Sequence, residues 1–268
     1  MTTSNRPLLL GWFSTGRGEG SRGLLLAALD AIGSGRLNAR IEFVFTNREK
    51  GQAEGSDQFI SLVKSRGMPV VNLSSQQFRR AHGNVPWEDL RDAYDREAMK
   101  RLEQYRPDLV VNAGYMLIAP LLCRRYNMVN LHPALPGGPK GTWQQVIWEL
   151  IARYADETGA MVHVVTEAVD EGPALTYCRF SLRGPSWAPL WAEAADRPVP
   201  DLMKAPGQDL PLFKAIRHAG LVRERPLLVE TLRAVADGRL DVTKAGARRP
   251  LELTHEVEAV AKARPYSA

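Results

Sequence analysis

The sequence predicts an α/β protein built on a doubly wound, mostly parallel sheet. Three observations carry this reading. Short apolar runs rich in β-branched residues alternate with helical patterns, at the spacing of strand–helix units. The first run breaks into a glycine-rich turn that opens a helix, as happens where a parallel sheet meets an anionic ligand. The 268 residues, 44% apolar and 24% charged, suffice to bury the core of one such domain with an elaboration.

Along the chain, Leu8–Phe13 reads as the first strand, followed by glycines from Gly16 to Gly23. Leu24, Leu25, Ala28, Leu29 and Ile32 then fall on one face of a helix. Residues 41–45 read as a strand, 59–64 as part of a helix and 68–71 as a shorter strand. Residues 87–105 form a charged, exposed helix that turns Leu90, Tyr94, Met99 and Leu102 inward. Residues 109–111 and 128–131 are β-rich runs bounded by turn residues, and 162–166 and 174–180 extend the sheet. With these elements in order, the architecture is Rossmann-like.

Residues 183–211 differ in character, carrying Pro185, Pro189, Pro198, Pro200, Pro206 and Pro211 around Trp187 and Trp191. Tryptophans do not suit a solvated tether, so the stretch reads as a long ordered loop. It forms a lid or a homodimer contact anchored by the two indoles, or the indoles simply cap the core. Residues 213–236 are helical, with an interruption near Pro226 and a stop at Asp237-Gly238. The plan is one domain over 7–240, with 183–211 as an insertion, and a C-terminal tail over 241–268 holding a short helix.

Composition narrows the partners. No apolar run approaches the roughly 20 residues that span a bilayer, and the polar start lacks a signal-peptide core, so the expected address is the cytoplasm. Cys123 and Cys178 have no metal-ligand spacing; they read as small hydrophobes, and no metal is expected. The net charge of +5 suits a small anionic substrate as well as nucleic acid, but no basic tract is interleaved with stacking aromatics. Neither nucleic acid nor membrane is expected as a partner.

Gly18-Glu19-Gly20-Ser21-Arg22-Gly23 matches the dinucleotide fingerprint in its strand-to-helix context. Three readings stand: a cradle for a phosphate-bearing substrate, a nicotinamide site and a purely structural turn. A nicotinamide enzyme would place an acid at the end of the second strand, where Thr46-Asn47-Arg48 stands, and Glu42 falls at the wrong end. Arg17 and Arg22 favour the phosphate reading, while Glu19 opposes it.

The most informative tetrad is Asn130-Leu131-His132-Pro133, at the end of a predicted strand. Side chains two apart share a face, so Asn130 and His132 project together, and Pro133 stops the ladder. An amide donor beside an imidazole can hold a carbonyl oxygen that becomes negative in a tetrahedral intermediate. A second segment, 162–173, sets Asp170 at a strand exit before Gly172-Pro173, where it can orient the His132 ring. Read alone, Asn130 and His132 fit ordinary hydrogen-bonding loop residues equally well, and His163 reads as a structural histidine.

These segments, with Asn112-Ala113-Gly114-Tyr115-Met116-Leu117-Ile118 and Ala236-Asp237-Gly238-Arg239-Leu240, resemble the folate-dependent formyltransferases, closest to their glycinamide ribonucleotide branch. The resemblance runs from about Leu8 to Leu240. It implies a formyltransferase fold and transfer of a formyl group from 10-formyltetrahydrofolate to a small, phosphorylated primary amine in purine biosynthesis. It implies Asn130, His132 and Asp170 as the catalytic trio. The pterin pocket would be lined by Tyr115, Met116, Leu117, Ile118 and Ala119 and by Thr166 and Glu167 of the loop before Asp170. The phosphate loop would be Gly16, Arg17, Gly18, Gly20 and Ser21.

Three departures bear on the substrate. The run after His132 is one residue shorter than the family's, the phosphate loop is longer and carries Glu19, and no acid stands at Gly220 to Val222, where a helical Glu would hold a ribose. Other acceptors therefore remain open, an amino sugar among them; the tail is too short for the extra barrel of enzymes that formylate methionyl-tRNA. Outside the class, a nicotinamide oxidoreductase would leave Asn130, His132 and Asp170 idle, and a folate- or nucleotide-binding regulator would need no proton path.

Overall fold

A computed structural model of the chain describes residues 6–117 and 119–263. The strands are β1 Leu8–Phe13, β2 Ala39–Thr46, β3 Val70–Asn72, β4 Leu109–Asn112, β5 Met128–His132, β6 Glu157–Val164, β7 Ala174–Ser181 and β8 Leu251–Glu252. They form one sheet in the order β3-β2-β1-β4-β5-β6-β7-β8. β1 to β5 are parallel, and β6 runs against both of its neighbours. The chain winds outward from β1 to β3 and then returns to β4 on the other side of β1. The carboxyl ends of β1 and β4 thus flank the switch point at which such sheets bind ligands.

The helices are α1 Glu19–Gly33, α2 Glu54–Ser65, α3 Ser75–Ala81, α4 Trp87–Arg101, α5 Pro120–Arg125, α6 Trp143–Ala152, α7 Ala188–Ala195, α8 Val199–Lys204, α9 Pro211–Ala236 and α10 Thr254–Ala263. Strand alternation assigns them to two faces. Trp12, Val44, Leu109, Val111, Val129 and Val162 pack with residues of α1, α2, α9 and α10. Phe13, Phe43, Phe45, Val110 and Met128 pack with Tyr94 and Ala98 of α4, Leu102 just after it, and Leu122 of α5. By the same parity Asn112, Asn130 and His132 continue the second face to the carboxyl edge, where it turns polar.

A third cluster joins α6, α7, α8 and the start of α9 around Trp148, Trp191 and Phe213. The stretch 183–211, read as a loop, holds α7 and α8 instead. Trp191 is buried, donates from its indole Nε1 to the Leu182 carbonyl at 2.7 Å and is covered by Tyr154 and Arg183. Burying such a ring and satisfying its N–H fixes the segment on the core.

Two other elements differ from their sequence readings. Helix α9 runs unbroken through Pro226, although that residue cannot donate to the carbonyl four residues back. Phe213 and Ile216 before the proline and Leu228 and Leu232 after it are buried in two different clusters, so packing overrides local propensity. The segment after Leu240 is integrated rather than a mere tail: β8 extends the sheet beside β7, and Leu253 and Val257 enter the core.

Asp95 of α4 is buried, and its Oδ2 accepts the backbone N–H groups of Leu121 at 2.9 Å and Leu122 at 3.2 Å, capping α5 from a neighbouring helix. Burial pushes its carboxyl up to about 6 despite those bonds. A folded-state pKa above the unfolded value means that the proton's stabilisation is complete at low pH and is lost as pH rises to about 6. Asp95→Asn keeps one acceptor oxygen without the charge. It should therefore match the wild type near pH 4 and exceed it by on the order of 1–2 kcal/mol above pH 7 in urea unfolding.

Candidate active site

The polar end of the second face is built by strand pairing. In register across the sheet, Phe13 lies beside Asn112, Asn112 beside Asn130, and Asn130 beside His163 of antiparallel β6. His132 follows two residues after Asn130, on the same face. The loop from β6 to β7 then returns Asp170 to this edge.

The carboxylate joins the strand residues. Asp170 Oδ2 lies 3.5 Å from His132 Nδ1, and its Oδ1 lies 3.6 Å from His163 Nε2. Asn130 Nδ2 is 3.2 Å from the same His163 Nε2. Asn130, His132 and Asp170 therefore meet as the sequence pattern requires, with His163 as the link between the amide and the acid. Strand pairing places His163, read as a structural histidine, opposite Asn130.

Hydrogen-bond accounting assigns donors within this group. His163 Nδ1 lies 2.9 Å from the Val164 carbonyl, which can only accept, so Nδ1 carries a hydrogen. Nε2 of a neutral ring then accepts from Asn130, and the second amide hydrogen of Asn130 stays available. His132 Nε2 donates to the Pro139 carbonyl at 2.8 Å, while its Nδ1 faces Asp170. The arrangement leaves neither nitrogen of His132 open to a ligand: the 137–141 turn closes over it.

Asp170 adopts a left-handed backbone, with φ of 53°, which points its side chain back into the cluster. Its burial raises the carboxyl pKa. The neighbouring imidazoles of His163 and His132 and the N–H of Gly141 outweigh that and hold it below its ordinary value. The Gly141 N–H lies 3.3 Å from Oδ2. Gly172 seats the loop: a Cβ there would stand 1.7 Å from the Val164 carbonyl oxygen.

The glycine loop lies two strands from Asn130, at the end of β1. Gly16 is buried at φ of 66° against Phe59, and Gly23 lies under the guanidinium of Arg225, so these two glycines serve packing. Gly18 and Gly20 have nothing within 4 Å of a Cβ position, and Gly18 starts α1 without a side-chain cap. They leave helix N–H groups approachable by an anion. Arg17 is exposed, Arg22 bonds Gln58, and Ser21 Oγ packs on Gly114 after β4.

The pocket segments divide differently from the sequence reading. The Tyr115 ring sits in the core, edge-on to Phe13 and Phe45, and Ala119 is buried. The ring is drawn inward because those phenylalanines occupy the same sheet face. Met116 is 61% exposed, Leu117 packs partly on the core, and Ile118 lies outside the described residues. Thr166 Oγ1 bonds the Ala168 carbonyl, and Glu167 is exposed and paired with Arg124 at 2.5 Å.

An acid also stands nearer the site than sequence reading located it. Glu224 of α9, two residues past the segment searched, lines a small crevice with Pro133, Trp143 and Gly220 and pairs with Arg217 at 2.8 Å. A depression of about 870 Å³ along residues 51–65 holds none of the trio. Among the described residues no helix is long and apolar enough to cross a membrane.

The formyl transferase family model matches residues 18–180, which include the glycine loop, Asn130, His132 and Asp170. The chain belongs to the formyl transferase family. Phosphoribosylglycinamide formyltransferase of Escherichia coli strain K12 is 30% identical over 161 residues, 59% of this chain and 66% of that protein. The Schizosaccharomyces pombe protein of the same name is 30% identical over 164 residues, 58% of this chain and 75% of its own. Glycinamide ribonucleotide transformylase 1 from Symbiobacterium toebii shares the fold at 24% identity, with a TM-score of 0.64 over 91% of this chain and 94% of that one. Membership makes the chain a formyltransferase with a folate-type co-substrate.

The Gly172 contact yields a test of how the acid is held. Gly172→Ala should cost about 1–3 kcal/mol in urea unfolding, and formyl transfer should fall because Asp170 shifts with the loop. Gly20→Ala, at a position with open space, should leave unfolding within about 0.5 kcal/mol of wild type.

Proposed function

We propose that the protein transfers the formyl group of 10-formyltetrahydrofolate to the primary amine of glycinamide ribonucleotide in the cytoplasm, with Asn130, His132 and Asp170 as catalytic residues. The meeting of amide, imidazole and carboxylate at the sheet's carboxyl edge carries this reading. The glycine loop supports a phosphate-bearing acceptor, and relatives named phosphoribosylglycinamide formyltransferase support the amine.

The folate-type donor supplies an electrophilic formyl carbon on a nitrogen that leaves. Asn130, oriented by His163, donates its second amide hydrogen to the formyl oxygen as negative charge develops; such a donor is worth about 3 kcal/mol. His132 joins it once the 137–141 turn withdraws the Pro139 carbonyl from Nε2. Asp170, a carboxylate at neutral pH, accepts the proton that the amine loses on bonding to carbon and returns it to the departing folate nitrogen. The new bond joins amine nitrogen to formyl carbon, and the bond that breaks joins that carbon to the folate.

Formation of formylglycinamide ribonucleotide from the two substrates, followed by the absorbance of the released folate, tests the reading directly. No transfer to this amine, or deformylation at the same rate without it, would overturn it. Asp170→Asn should bind the formyl donor as wild type does and lower kcat by about 10²–10⁴-fold. Because Asp170 is held below the ordinary carboxylate value, its contribution to the pH–rate profile should persist to lower pH than that of an ordinary carboxylate. Unchanged turnover in Asp170→Asn would remove it from the mechanism.

A further inference from the structure

Asn112 is a polar side chain that neither the sequence pattern nor the proposed chemistry uses. It closes β4 on the face that otherwise holds Val110, Phe13 and Met128, and it is 6% exposed. Its Oδ1 is buried with no hydrogen-bond partner. A buried acceptor left unpaired costs free energy that an apolar residue of the same shape would not, so an asparagine here calls for a reason.

Its position supplies one. The register sets Asn112 between Phe13 and Asn130, midway along the row that ends at His163. The two residues after it hold the glycine loop: Ser14 Oγ donates to the Ala113 carbonyl at 2.8 Å, and Thr15 N–H donates to the Gly114 carbonyl at 3.1 Å. The orphan acceptor thus lies between the glycine loop and the Asn130–His163–Asp170 group, at the switch point of the sheet. A site built around an acceptor rejects ligands that lack a matching donor far more strongly than an apolar site does.

We propose that Asn112 is a specificity-determining residue whose amide oxygen accepts an N–H of the reduced pteridine carried by the formyl donor. The proposal rests on the formyl-transfer reading above. The pteridine is a flat heterocycle with several N–H donors, and the neighbour of Asn112 in the row is the Phe13 ring. A leucine at this position would fill the space but leave such an N–H unmatched.

The test compares Asn112→Leu and Asn112→Asp with the wild type, by anaerobic titration with 10-formyltetrahydrofolate, steady-state kinetics and melting of the free proteins. Asn112→Leu should weaken donor binding about tenfold, change the KM for the amine less than about twofold and raise the melting temperature of the free protein. Asn112→Asp, which keeps an acceptor, should bind the donor within about threefold of wild type. Wild-type donor affinity in Asn112→Leu overturns the proposal, as does an effect confined to the amine KM. So does a lowered melting temperature in Asn112→Leu together with lost binding, because the residue would then only support the fold. A wild-type protein that binds no formyl donor defeats the formyl-transfer reading itself, an outcome distinct from equal binding by wild type and variant.

Discussion

The site depends on the register between β5 and β6. Because β6 runs antiparallel to β5, it begins past His132, sets His163 directly opposite Asn130 and leaves beside Val129, near the start of β5. The short return through residues 165–173 then brings Asp170 back to two imidazoles, with Gly172 pressed against the Val164 carbonyl. Main-chain geometry thus sets the amide, the rings and the carboxylate in place before any ligand contributes.

That preorganisation carries a cost, and the fold offsets it with three apolar clusters. His132, His163 and Asn112 are each at most 6% exposed, and burying polar groups is favourable only where partners are supplied. The histidines have theirs in Pro139, Val164, Asn130 and Asp170. The bond from His132 to Pro139 satisfies a buried donor, and in the proposed chemistry it must break for that donor to reach an oxyanion. Gly137 and Gly141, at φ of 78° and 98°, give the intervening turn a backbone that other residues rarely adopt.

Much of this was legible in the sequence, for physical reasons that differ by element. The strands nearest the switch point read clearly because each is a short apolar run ended by turn residues, and Asn130 and His132 followed from the period of two. The start of β6 at Glu157 did not, since a strand beginning with Glu157-Thr158-Gly159 has little apolar pattern. The link from His163 to Asn130 was not legible either, because it joins residues 33 apart in the chain. The inward turn of Tyr115 was not legible, because family position alone does not reveal that Phe13 and Phe45 pack against the ring. In residues 183–211 the prolines hid α7 and α8, each of which begins with a proline in its first turn, where its missing N–H costs nothing.

The glycine loop shows why a motif match and a site are different statements. Of the glycines from 16 to 23, Gly16 and Gly23 answer to Phe59 and Arg225, and any protein packing those side chains there would need them. Gly18 and Gly20 answer to nothing in the fold. A β-carbon at Gly18 or Gly20 would cost no contact, and one at Gly20 would improve helix propensity, so packing supplies no reason for either. What they leave is an uncovered helix N-terminus at the switch point, and the physical use of such a terminus is to meet negative charge. The family fingerprint and the packing analysis therefore select different members of the same short run, and only the second distinguishes those that hold the fold from those free to serve a substrate.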